Sequence, residues 1–185
     1  MLARRLATIA VYTIALVGVS CGSYGDDPTP PATDPPWGLD AIDLPDDPTA
    51  VEDLLAAFPE ELEGLERSDV SPTQVSYGDG SSFVRAIDLA EVEAEGIPGT
   101  AAEYLDLLAG SGEVEVEADV TSADAGFVYL VSTNSVQDAP DAEPRTTYDA
   151  AWGAADGGWL FASSAGSPEE REALAAAFVA AAQPS

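Results

Sequence analysis

Carboxylates are the only catalytic side chains this chain holds in quantity: 34 of its 185 residues are Asp or Glu. Against them stand six basic residues, all arginine, with a single cysteine and no histidine or lysine. Two carboxyl groups roughly 5–9.5 Å apart suffice to hydrolyse a glycoside, provided burial keeps a proton on one of them. Glu113, Glu115, Glu117 and Asp119 are the densest set, and their strict alternation with Val114, Val116, Ala118 and Val120 lays them along one strand face. Neighbours on that face sit about 7 Å apart, within a glycosidase's range. The same alternation turns the face to water, so these acids read as a solvated exterior and no catalytic residue is assigned.

The inventory removes most other mechanisms. Without histidine there is no Ser-His-Asp triad and no imidazole metal ligand; without lysine there is no Schiff base and no Walker lysine. Ser81-Ser82 and Ser163-Ser164 lack both a Gly-x-Ser-x-Gly elbow and a base to activate them. Asp138, Asp141 and Glu143, or Asp119 with Asp124, would attract hard cations, but no EF-hand spacing is present, and neither a metal nor another cofactor is expected. A formal net charge of −28 repels phosphate backbones, which excludes nucleic acid as a partner.

Recognition is the chemistry left. The rings mostly fall at core-compatible positions, as a domain poor in branched aliphatics requires. If Trp152 and Trp159 flank an open pocket, a small ligand or glycan could stack there, with Arg85 and Arg145 as the counter-charges. These four are the ligand-binding candidates, and the alternative for both arginines is pairing with nearby acids.

Three helix starts and two hairpins must position these groups. Thr49 with Glu52, Thr100 with Glu103, and Ser167 with Glu170 are capping boxes. Each precedes apolar residues at helical spacing: Val51, Leu54 and Leu55; Ala101, Tyr104 and Leu105; Leu174, Ala177 and Phe178. Gln74–Tyr77 and Phe83–Ile87 flank Gly78-Asp79-Gly80-Ser81, a hairpin signal, and residues 146–154 and 159–163 flank Asp156-Gly157-Gly158 likewise. Residues 113–120 read as a half-buried strand, and the continuous apolar run 126–131 as a central one. The order α, β, β, α, β, β, β, β, α predicts an α+β fold. Its antiparallel sheet has about five to six strands packed by about three helices, in a single domain over residues 48–183. In element order alone this domain resembles Mog1/PsbP-like and cystatin-like domains of exported proteins.

The first twenty residues hold none of the acids. Arg4 and Arg5 precede an apolar run from Leu6 to Val19, shorter than the roughly 20 residues a membrane-spanning helix needs, which predicts a cleaved signal peptide over residues 1–20. Leu16-Val17-Gly18-Val19-Ser20-Cys21 resembles a bacterial lipoprotein lipobox, and the resemblance implies that Cys21 carries diacylglycerol and becomes the first mature residue. An unpaired cysteine in an exported chain finds its explanation there. Residues 22–47 carry six prolines and seven aspartates, and residues 21–47 together read as the lipidated cysteine and a disordered linker. Fully extended, 26 residues would reach roughly 80 Å. Trp37 and Leu39 are the linker residues able to pack back on the domain.

The resulting expectation is a non-catalytic lipoprotein on the extracytoplasmic face of the membrane, or a secreted protein if Cys21 stays free. It would serve as a binding or accessory module for an unknown envelope protein or small ligand, with the membrane engaged through the lipid. The alternative is a carboxylate-dependent hydrolase of cell-surface glycans.

Overall fold

A computed structural model describes residues 36–93, 98–112, 114–136 and 143–183. Residues 1–20, read above as a signal peptide, and Cys21, Glu113, Asp138 and Asp141 lie outside the described residues. Eight antiparallel strands form one sheet in the order β1-β2-β3-β4-β8-β7-β6-β5, so an N-terminal and a C-terminal meander join where β4 meets β8. The strands are β1 Glu61–Leu62, β2 Leu65–Ser71, β3 Gln74–Tyr77, β4 Ser82–Asp88, β5 Glu115–Val120, β6 Phe127–Val136, β7 Arg145–Ala154 and β8 Trp159–Ala165. Four α-helices accompany them: α1 Pro48–Ala56, α2 Leu89–Glu93, α3 Ala101–Gly110 and α4 Pro168–Ala182. The α+β antiparallel plan holds, but among the described residues the expected five to six strands are eight, and the three expected helices α1, α3 and α4 are joined by the short α2 and two 3-10 turns. The additional pair β1 and β2 was not legible because Leu65–Ser71 is largely exposed and carries no apolar alternation. No described helix is long and apolar enough to cross a membrane.

Helices cover both faces of the sheet. Alternation sends Val75, Tyr77, Val84, Ala86, Tyr129, Trp152 and Phe161 to one face, where α1 and α4 close the larger core with Leu55, Leu174 and Phe178. Phe178 is its hub: Phe161, Trp152 and Phe58 meet its ring edge-on at centroid distances of 4.8, 5.0 and 6.4 Å. Leu130, Val128 and Leu160 point to the other face, under Ala101, Ala102 and Leu105 of α3. Gly153 lets α3 approach, since a Cβ there would stand 3.0 Å from both Ala101 Cβ and the Trp159 carbonyl oxygen.

The helix starts follow capping chemistry, with one correction. Thr100 Oγ1 accepts from Glu103 N at 3.4 Å and Ser167 Oγ from Glu170 N at 3.2 Å, as expected. At α1 the cap is Asp47 instead of Thr49: its Oδ1 accepts from Thr49 N at 2.9 Å and Ala50 N at 3.0 Å, with Pro48 occupying the first helical position. The carboxylate two residues upstream outcompetes the hydroxyl because it places the proline where a missing N–H costs nothing. Gly78 and Gly80 take positive φ in the β3–β4 turn, which the hairpin signal required.

Part of the stretch assigned to the linker packs on this domain. A 3-10 turn over Pro36–Ala41 contacts α4, Leu39 is 1% exposed in the larger core, and Ile42 and Leu44 lie against it.

Candidate functional site

In a domain whose cations are all arginines, what each guanidinium touches decides what it can do. The described residues hold four of them. Arg67 on β2 donates from Nη1 to the carbonyls of Phe58 at 2.7 Å and Ala56 at 3.4 Å, and its Nη2 lies 3.5 Å from Glu60 Oε1. It therefore closes the C-terminal end of α1, where the helix dipole favours a cation.

Arg171 occupies the first turn of α4 and is 7% exposed. Its fork meets Glu117 on β5, Nη1 to Oε1 at 3.0 Å and Nη2 to Oε2 at 2.8 Å, while Nη1 also reaches the Ser132 carbonyl at 3.2 Å. The rings of Trp37 and Tyr148 each stand with their centroid 5.8 Å from the guanidinium carbon. Only Nε finds no acceptor. The Arg171 fork, with a further hydrogen bond from Thr133, holds the Glu117 carboxyl below the usual carboxylate range, against the pull of its partial burial.

Glu115, Glu117 and Asp119 are all exposed, as a solvated face requires, and Glu117 is in addition engaged by the buried Arg171. A register shift between Val116 and Ala118 breaks the alternation on this edge strand, so that Ala118 and Val120 turn to the α4 side with Val131 and Tyr129 while Asp119 turns to the other face. The sequence did carry a signal for Arg171, which shares the spacing of Leu174, Ala175 and Phe178 and so belongs to the buried stripe of α4.

Arg145 begins β7 at a cleft of about 600 Å³ lined also by Asp79, Gly80, Ser81, Thr146 and Gly166. Hydrogen bonds from Ser81 lower the Asp79 pKa, and the charge of Arg145 adds to the effect. A second cleft of about 400 Å³ is lined by Glu115, Thr133, Asn134, Ser135 and Thr146 with Gly112 and Val114. Among the described residues no three acidic side chains gather as a metal site would require.

Arg85 lies on β4, on the same sheet face as α3 but off toward β3. It is exposed, its guanidinium carbon stands 5.4 Å from the centre of the Phe83 ring, and its Nε donates to Gln74 Oε1 at 2.9 Å. Gln74 Nε2 in turn donates to Ser76 Oγ at 2.8 Å. Among the described residues Arg85 makes no salt bridge. Strand register aligns Ser76, Phe83, Ser164, Asp149 and Ser132 across the sheet on this face, with Ser76 and Ser132 buried. Arg85 is thus exposed and oriented by a ring and an amide.

The tryptophan candidates land elsewhere. Trp152 is fully buried against Phe178, and Trp159 is half-buried against the same core, so the structure does not set them around an open pocket. Arg145 lines the first of these two clefts, and Arg85 lines neither. Cys21 lies outside the described residues. Comparison with known proteins returns no match: no family model, no curated protein and no solved structure matches this chain.

Proposed function

We propose that the chain is an exported, lipid-anchored, non-catalytic envelope lipoprotein whose domain acts as a binding module, with the Arg85 surface as its contact face. The observation that carries this reading is the position of the one cysteine, at the end of an arginine-headed apolar leader and just before a proline- and aspartate-rich stretch. The electrostatics support a non-catalytic role. A glycosidase acid needs its pKa raised, whereas Asp79 and Glu117, the described carboxyls with a shifted pKa, are both lowered and so held ionised. Arg85 supports the binding role: in so acidic a chain, an exposed guanidinium without a carboxylate partner suits a carboxylate on a ligand or partner.

Two measurements test the reading. Radioactive fatty acid should label the wild type and not Cys21→Ser, and label persisting in the variant defeats lipid anchoring. Photo-crosslinking in intact cells from position 164, beside Phe83, should trap an envelope component, and Arg85→Gln should abolish the adduct. Adducts to lipid alone, or an adduct indifferent to Arg85, defeat the binding face.

A further inference from the structure

We infer that the two clefts are halves of one groove that binds an uncharged oligosaccharide, with Thr146 as their shared wall. Thr146 is exposed, and it lines both the cleft of about 600 Å³ and the one of about 400 Å³. The groove is independent of the Arg85 face, because Arg85 lines neither cleft.

Strand register builds the floor. Glu115 stands opposite Thr133, and Ser135, two residues along β6, stands opposite Thr146. Alternation places all four on the face that carries Tyr129, Ala150 and Trp152, at the end of the sheet where the chain passes Gly166 into α4. Thr133 is fixed by its hydrogen bond to Glu117, which Arg171 holds in turn. The β3–β4 turn closes the other side with Asp79, Gly80 and Ser81, where Asp79 Oδ1 accepts from Ser81 N at 3.0 Å. Gly80 and Gly166 bring no side chain to fill the space between.

The side chains of the lining decide the ligand. Asp79 and Glu115, one on each side of Thr146, are acceptors; Arg145 is a donor; the hydroxyls of Ser135 and Thr146 and the amide of Asn134 serve both ways. Hydrogen bonds from Ser81 hold Asp79 ionised and so keep it an acceptor. A sugar hydroxyl donates and accepts at once, so a chain of sugars satisfies such a mixed set in any order. Other ligand classes fit less well. Val114 is the only large apolar residue in either lining, which disfavours an apolar ligand. A net charge of −28 repels an acidic polymer, and Arg145 opposes a cationic one. Both volumes fall within the roughly 300–1,000 Å³ of small-ligand sites, and two such spaces about one residue suit a chain of sugar units better than a single ring.

Nuclear magnetic resonance on the isotope-labelled full chain tests the groove, with maltotetraose, cellotetraose, mannotetraose and the N-acetylglucosamine tetramer as probes. At least one should move the backbone amides of residues 79–81 and 133–135 together, and bind more tightly than its own monosaccharide. Asp79→Ala and Glu115→Ala should each weaken that binding about tenfold, the factor expected for one hydrogen bond to a charged group. Thr146→Trp should abolish it, with amides away from the groove unmoved, and Arg85→Gln should leave it unchanged.

No amide movement with any of the four probes overturns the site. Movement confined to one cleft, or a loss with Glu115→Ala alone, overturns the single groove. Glycine or spermidine moving these amides where the sugars do not overturns the ligand class. Loss of sugar binding in Arg85→Gln overturns the groove in favour of the Arg85 face, while an Arg85 face that fails its own crosslinking test leaves every one of these outcomes standing.

Discussion

Glu117→Ala and Arg171→Met remove opposite ends of one ion pair, and their costs should differ widely. The side chain of Arg171 is 8% exposed and that of Glu117 38%. Removing Glu117 leaves a guanidinium enclosed by α4, β6 and two rings, with the Ser132 carbonyl as its remaining acceptor. Stranding a buried charge costs about 3–5 kcal/mol, and water entering where the half-exposed carboxylate stood places the expected loss near the low end, about 3 kcal/mol. At roughly 2–4 °C per kcal/mol for a domain of this size, the melting temperature should fall by about 6–12 °C. Removing Arg171 leaves a carboxylate that water already reaches, and methionine fits between the Trp37 and Tyr148 rings with favourable sulfur contacts, so that cost should be about 1 kcal/mol or less. The double variant should resemble Arg171→Met alone, since the stranded charge is gone. Urea unfolding followed by circular dichroism measures all three. If Arg171→Met is as damaging as Glu117→Ala, or the double variant is the least stable, the reasoning from unequal burial is refuted.

The same pair fixes an acid limit. Because folding lowers the Glu117 pKa, its stabilisation is present in full above the ordinary carboxylate value of about 4.3 and disappears as the pH falls through the lower folded-state value. Melts from pH 6 to pH 3 should therefore show a loss of stability that is smaller in Glu117→Gln, and parallel curves would contradict it. Gly153→Ala should destabilise by about 1–3 kcal/mol because the new methyl overlaps Ala101 of α3 and the Trp159 carbonyl, whereas Gly110→Ala, with open space around it, should stabilise α3 by about 0.5–1 kcal/mol. Calorimetry on both variants checks the contrast. Added sodium chloride should raise the melting temperature by screening a surface of net charge near −28; a fall would show that attractive pairs outweigh that repulsion.

Local rules made most of the fold readable. Thr100 and Ser167 announced α3 and α4, and the glycines flanking Asp79 announced the β3–β4 turn, because caps and turns are decided within four residues. What escaped depends on partners distant in the chain. The polar strand β2 exists because β3 lends it a ladder, and Glu117 is engaged because Arg171, 54 residues on, reaches it from α4. Arg85 and Arg145 could be named as candidates from scarcity alone. That Arg85 would meet a ring and an amide, and Arg145 the Asp79 turn, was set by which strands lie side by side.

The junction between β4 and β8 shapes how the chain can fold. Residues 83–88 pair with residues 159–164, more than seventy positions on, while each meander is stitched from near neighbours. Closing so long a loop is slow, so the two halves should assemble first and meet last. A chain exported from its N-terminus would carry β4 with one side unpaired until the final thirty or so residues emerge, and α4, which roofs the junction, would come later still. That interval is when the protein is most open to pairing with the wrong strand.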